Sequence, residues 1–543
     1  MHQIPHLLKK IPKSTIEIFF FGMIFTIYFM SSVGIMNTMD GAQYYTTEAL
    51  IQYNDVNLRP MTKYEHFFSK NDLAYDGNKI LPLRGVHQSI IAMPLHFLSR
   101  FFAPYVSTND FPISISSARD FAYELTITGL YSLFSVLGVY FVFKTLQTIG
   151  ISRKMSFFTS FVLAFGTPVW KYATAYIRQG MIFLFFAFTL YVFARCLFKN
   201  NKNNILPISI WLLILPFSFG IDPIGFASVC GAIAIFILLL IKNKKRHKLP
   251  SNPFKSKNIR ISILFIVIFI TSSAFVLFTN FYFFKSLMST QYEKYPPFAT
   301  VPKDKLLSVV FGTPIYPTIF YVLFGSSALP VEIFENTLKY PEISKVVSVP
   351  YAIRYEFYGI FIITPIFLLI FASIYSFFKY ASKKQKFMYA FSSIITIIFI
   401  IPTVMWHAFH APNSYDLKYF YPIFANLSIL FAISLKYWPA IKTSSVFKYA
   451  FILLFILTIF FGFIGVLNAY PSYMTGERRI WINTPFHLIR LFSTPTKTMI
   501  DAVFANRANI FVPVLLTGFA IIINFVYLQF DKRKRNLATK KGD

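Results

Sequence analysis

Charge is what this sequence has least of, and acidic charge is the scarcest part of it. Only 14% of the 543 residues are charged, and 22 acids stand against 52 Lys and Arg. A soluble globular chain carries roughly a quarter charged residues, so the deficit excludes an ordinary water-soluble fold. Cysteine is nearly missing. Cys196 and Cys230 both lie in or beside apolar stretches, which excludes a disulfide framework and a thiolate metal site. No small-residue cleavage motif follows the first apolar run, so that run reads as an uncleaved helix rather than a signal peptide.

What the sequence has instead is apolar length. Hydrophobic residues make up 55% of the chain and aromatics 20%, with 68 Phe. Many runs reach the ~20 residues that carry a helix across a bilayer core. About twelve candidate spans emerge, at 16–35, 121–143, 155–170, 178–198, 205–220, 222–241, 261–283, 356–378, 387–405, 421–435, 447–468 and 509–529. The fold class expected is therefore all-α, a polytopic membrane protein forming a single integral domain over 1–543, with no appended soluble domain.

The net charge of +30 raises the question of nucleic acid, but its distribution answers it. The cations sit in short segments between apolar runs, and no DNA- or RNA-binding module is visible. Lys and Arg accumulate in KNKKRHK (242–248), KYASKKQK (379–386) and DKRKR (531–535), which are cytoplasmic if residues 1–15 are. Nearly all acids fall in the alternate loops, Glu17 being an exception. Both termini are thus expected in the cytoplasm. The polar mass lies outside, in a large first loop (36–120), a second (284–355) and a third (469–508). Within the first, residues 86–102 read as an interfacial helix. Within the second, Pro314 and Pro317 make 306–325 a re-entrant or protein-buried segment.

Candidate chemistry collects on that outer side. Asp40 is the first acid after span one and precedes a short helical stretch at 41–52; the plainer reading is a helix cap. Arg84 and His87 flank Gly85 at the start of the interfacial segment, where helix N–H groups also favour an anion. Lys418 enters span ten and suits a phosphate, with ordinary snorkelling as the alternative. His407, His410 and Asp416 form a loose cluster whose spacing is too unspecific to assign a metal. Lys171, Arg178 and Arg478 are further cations on the same side. Asp222 marks the apex of a helical hairpin, and Asp55, Asp72 and Asp76 read as solvated loop acids.

In layout and in several short segments the chain resembles the GT-C superfamily of polyprenyl-phosphate-sugar-dependent glycosyltransferases, near the protein mannosyltransferase and aminoarabinose-transferase type. The resemblance rests on Asp40 after span one and on the order of KILPLRGVHQSIIAMPLHFL (79–98), FGTPVWKYATAYIRQG (165–180), PFSFGIDPIGFASV (216–229) and YDLKYFYPIFANL (415–427). It implies an inverting transfer at an extracytoplasmic site. Asp40 would be the catalytic base, with Arg84, His87 and Lys418 binding the donor phosphate. Lys171, Arg178, His407, His410, Asp416 and Arg478 would be candidate substrate contacts, with no metal or cofactor. The partners implied are a polyprenyl-phosphate sugar donor, a glycan, lipid or protein acceptor, and membrane lipid. The chain departs from the family where Gly41 replaces the second acid of an Asp-Glu pair. Arg178-Gln179 stands in place of an acid or histidine, Asp222 in place of a base, and Lys418 in place of an arginine. A secondary transporter and a lipid-linked glycan polymerase or ligase remain alternatives, the first weakened by the lack of an internal repeat.

Overall fold

Away from water, a chain must satisfy its backbone N–H and C=O groups internally, and the apolar runs of this sequence do so as helices. The computed structural model describes residues 13–32, 34–35, 38–61, 73–105, 118–198, 204–244, 256–287, 311, 315–324, 359–405, 418–438 and 444–467. The expected span 509–529, the third loop and most of the second lie outside the described residues.

Helix α1 (Lys13–Met30) leads to α2 (Thr38–Tyr53), a two-stranded hairpin of β1 (Leu73–Asp76) and β2 (Lys79–Pro82), and α3 (His87–Phe102). There follow α4 (Ala118–Thr148), α5 (Arg153–Phe165), α6 (Val169–Ala173), α7 (Gln179–Phe198), α8 (Ile205–Ile221), α9 (Pro223–Lys244) and α10 (Ser256–Phe284). The remainder comprises α11 (Ile315–Phe324), α12 (Ile360–Ile363), α13 (Leu369–Ala372), α14 (Ile374–Tyr380), α15 (Lys383–Met405), α16 (Ile423–Lys436) and α17 (Ser445–Leu467). Among the described residues, five helical stretches are long and apolar enough to cross a membrane: Tyr123–Thr148, Gln179–Phe198, Ile263–Phe284, Lys383–Met405 and Ser445–Phe463. Shorter apolar helices stand beside them, and the protein is an all-α polytopic membrane protein.

Helix α4 is the hub, packing against α1, α3, α5, α7 and α16. Burial of apolar surface drives helix association little in lipid, so close fit matters more. At Gly138 the Phe183 ring of α7 rests on the α4 backbone, and a Cβ there would lie 2.4 Å from it. One end of the bundle is stapled by charge. Glu17 pairs with Lys144 and, at 3.6 Å, with Arg153, which explains why an acid sits among the basic segments. Gln385 Nε2 and Lys436 Nζ donate to the carbonyls of Ile149 and Gly150, at 3.0 and 3.2 Å. At the other end of α4, Glu124 accepts from the Ile35 backbone N–H at 2.9 Å. Twenty residues of helix put these two ends ~30 Å apart.

Three expectations are revised. The span expected at 155–170 stops as a helix at Phe165, because Gly166-Thr167-Pro168 breaks it before α6. The span expected at 356–378 is fragmented into α12, a 3-10 turn (Pro365–Leu368), α13 and α14. Pro365 cannot continue the ladder, and the Ile366 N–H donates across to Thr458 Oγ1 on α17 at 3.0 Å. The stretch 73–82, read as loop, is a hairpin around Gly77 at φ +56°.

Helix α3 is inverted relative to a soluble helix. Its buried residues include His87, Gln88, Ser89, His96 and Ser99, whereas Phe97, Leu98, Phe101 and Phe102 are exposed. A polar inner face and an apolar outer face fit a helix whose outside meets lipid. Helix α11, over its described residues, has ten positions, ~15 Å of rise.

Candidate functional site

Asp40 is in the first turn of α2, which begins at Thr38. The helix therefore starts earlier than the expected 41–52, and the carboxylate sits at a helix N-terminus, where the dipole favours negative charge. Every residue from Asp40 to Leu50 is buried, so α2 is folded into the bundle rather than laid on its surface.

Lys418 reaches Asp40 from far along the chain. It opens the 3-10 turn Lys418–Phe420 that leads into α16, and its Nζ lies 2.5 Å from Asp40 Oδ2. Both side chains are almost wholly buried, at 4% and 2% exposure. A buried pair is held by mutual attraction against a large desolvation cost, and removing one partner strands the other. Arg84, also buried, follows β2. Its guanidinium lies 5.9 Å from the Tyr419 ring centroid, and the Lys418 ammonium lies 5.9 Å from the same ring. Two cations thus flank one aromatic ring beside one carboxylate.

Hydrogen bonds hold this cluster in register. Gln43 Nε2, on α2, donates to the Arg84 carbonyl at 3.3 Å. Ser89 Oγ, on α3, donates to the Gln43 carbonyl at 2.9 Å. On the α16 side, the Tyr421 hydroxyl donates to Ser135 Oγ at 2.6 Å and its ring stacks on Phe183 at 4.9 Å. Asp40 neighbours the Tyr131 phenol of α4, and Tyr131 is thirteen residues from Lys144, ~20 Å of helix rise. The cluster is therefore sunk into the bundle, well towards the end opposite Glu17 but below its rim.

The other sequence candidates are distributed differently. His87 is adjacent in sequence to this cluster, but its ring faces away from it. Nε2 is 2.8 Å from Thr279 Oγ1 of α10, and the ring fills the space left by Gly220, where a Cβ would lie 2.2 Å from Nδ1. Burial lowers its pKa to about 4, so at neutral pH it is uncharged and offers hydrogen bonding rather than positive charge. Arg178 braces the α8–α9 hairpin, donating to the Ile221 carbonyl at 3.2 Å and lying 3.8 Å from Asp222 Oδ2. Asp222 Oδ1 accepts from Ile224 N–H at 3.0 Å and so caps α9 at the hairpin apex. Lys171 is buried on α6 with its ammonium 5.6 Å over Tyr172. Its neighbour Tyr172 lies 5.8 Å from Tyr421. His407, His410, Asp416 and Arg478 lie outside the described residues. Among the described residues no three His, Cys, Asp or Glu side chains gather as a metal site.

One buried network was missed. Glu48 Oε1 is 3.0 Å from His96 Nδ1, and that nitrogen is 2.9 Å from the Tyr123 hydroxyl. Burial acts to raise the Glu48 pKa, but hydrogen bonds from His96 and Tyr123 and the nearby Arg100 charge outweigh it and hold it low. Burial lowers that of His96. The signal was present in the spacing, since Asp40, Tyr44 and Glu48 recur every four residues and share one helix face.

No model of a known protein family matches the sequence, and no characterised protein matches it in sequence. In three dimensions the chain is similar to ArnT from Cupriavidus metallidurans bound to undecaprenyl phosphate, at 11% identity and a TM-score of 0.46, over 86% of this chain and 75% of that one. It is similar as well to the apo state of the same protein, at 12% identity and a TM-score of 0.41, over 85% and 75% of the two chains.

Proposed function

We propose that this protein is an integral-membrane inverting glycosyltransferase that moves a sugar from a polyprenyl-phosphate donor to an extracytoplasmic acceptor. The observation that carries this reading is the buried Asp40–Lys418 pair with Arg84 beside it, set inside a membrane bundle. Nucleotide sugars do not reach the outer face of a cell membrane, so a donor there is lipid-linked. Its phosphate needs cations, and its acceptor needs a base.

Lys418 and Arg84 supply the cations and Asp40 the base. At rest Lys418 neutralises Asp40. An arriving phosphodiester draws the Lys418 ammonium towards itself and leaves the Asp40 carboxylate free to accept a proton. The acceptor hydroxyl or amine gives that proton to Asp40 while its heteroatom forms a bond to the anomeric carbon. The bond from that carbon to the phosphate oxygen breaks, and polyprenyl phosphate leaves with the electron pair. Arg84 and Lys418 hold the resulting charge, while His87, neutral and turned towards Thr279, stands outside the phosphate site. On this reading residues 36–120 form the outer loop that delivers Asp40 and Arg84 to the bundle, the site faces outward, and both termini are cytoplasmic.

The test is transfer itself. Reconstituted protein is given radiolabelled undecaprenyl-phosphate sugars, and release of undecaprenyl phosphate is followed with and without candidate lipid, glycan and peptide acceptors. Acceptor-dependent release is expected. Transmembrane movement of an intact solute with no bond broken would replace this reading by transport.

A further inference from the structure

Two polar groups beside Asp40 have no part in the chemistry above. Gln88 on α3 and Tyr131 on α4 are each only 2% exposed. Apart from one another, neither Gln88 Nε2 nor the Tyr131 hydroxyl has a hydrogen-bond partner among the described residues. They lie together, since the Gln88 side chain and the Asp40 carboxylate both neighbour the Tyr131 phenol. Buried polar atoms left open in this way are uncommon and call for an explanation.

Their surroundings point to one kind of occupant. The Tyr131 ring lies 4.5 Å from that of Tyr176, and the Tyr176 hydroxyl is already engaged with Thr47 Oγ1 at 3.2 Å. The start of α7 borders the same ring at Gly180, where a Cβ would be 3.9 Å from Tyr131 Cε1. Aromatic faces with a few open, uncharged hydrogen-bonding groups suit a sugar, whose ring has apolar faces and a polar edge. A phosphate would go instead to Arg84 and Lys418. An amide N–H donates, and a phenol both donates and accepts, so the pair matches hydroxyl groups.

We infer that Gln88 and Tyr131 form the subsite that grips the hydroxyls of the transferred sugar and so positions its anomeric carbon at Asp40. This rests on the glycosyltransferase reading and names the part of that site that selects the sugar.

The experiment separates the sugar from its lipid carrier. Full-length protein in nanodiscs is titrated with bare undecaprenyl phosphate and with undecaprenyl phosphate carrying glucose, mannose or arabinose. The wild type is expected to bind at least one sugar-bearing lipid about tenfold more tightly than the bare lipid. Tyr131→Phe and Gln88→Leu are each expected to erase most of that preference, a loss of about three- to tenfold, while the bare-lipid Kd moves less than about twofold. If Tyr131→Phe does not fold, Gln88→Leu carries the test alone. A sugar preference that survives both substitutions overturns the inference, because ordered water or packing then accounts for the pair. Equal weakening of both lipids overturns it too. A wild type that binds the bare lipid but shows no preference among the sugars removes the subsite and leaves the phosphate site standing. A wild type that binds none of the lipids removes the glycosyltransferase reading itself.

Discussion

Lys418 Nζ and Asp40 Oδ2 meet at 2.5 Å in the interior of the bundle, although 378 residues of chain separate them. Each is the other's neutralising partner, and that relationship fixes what substitution at either position does. Asp40→Asn keeps the shape of the side chain and removes its basicity. Transfer is expected to fall by about 10²–10⁴-fold, measured as sugar transferred per mole of folded protein, and the Lys418 ammonium left without its partner is expected to lower the unfolding midpoint as well. Near-normal turnover in this variant removes Asp40 from the mechanism.

The reciprocal change leaves the opposite charge unpaired. Lys418→Met strands the Asp40 carboxylate in a buried site and is expected to cost about 3–5 kcal/mol of stability, read from denaturant unfolding in detergent. Combining it with Asp40→Asn removes the stranded charge and should restore most of that stability without restoring activity. A double variant as unstable as Lys418→Met alone would show that the two side chains are not energetically coupled.

How much of this was legible in the sequence follows from the range of each interaction. The spans are written in local apolar content, and helices occur where most of them were expected. The break at Pro365 was missed because hydropathy does not register that Thr458, on a distant helix, takes up the freed N–H. The hairpin at 73–82 was legible in principle, since the turn pair Gly77-Asn78 lies between residues of strand-forming character. Asp40, Arg84 and Lys418 were each visible as polar residues beside apolar runs, but nothing local links Lys418 to Asp40. Glu48 and Tyr131 passed unnoticed because an isolated polar residue in an apolar stretch looks alike whether it packs, pairs or binds.

His87 gives the protein a pH dependence of defined sign. In the unfolded chain its pKa is near 6.5, and in the folded chain burial holds it at about 4. Between those values the unfolded state carries the extra proton, so stability falls as pH drops from about 6.5 towards 4. His87→Gln removes this titration, and its unfolding midpoint is expected to vary less with pH over that window. An unaltered pH profile would place the sensitivity elsewhere.

Gly220 is the space His87 occupies. Gly220→Ala would set a Cβ 2.2 Å from Nδ1, and overpacking of this kind costs about 1–3 kcal/mol. Pairing it with His87→Ala should relieve the clash, so the double variant is less damaged than the sum of the single changes. Strict additivity would show that the two positions do not touch.

The most direct test of the account is the affinity for bare undecaprenyl phosphate, compared between wild type, Arg84→Gln and Asp40→Asn. If carboxylate and phosphate compete for Lys418, Asp40→Asn binds the lipid more tightly than wild type although it cannot transfer sugar, and Arg84→Gln binds it about tenfold or more weakly. An Asp40→Asn protein that binds undecaprenyl phosphate no better than wild type, together with an Arg84→Gln protein that binds it equally well, would contradict the account.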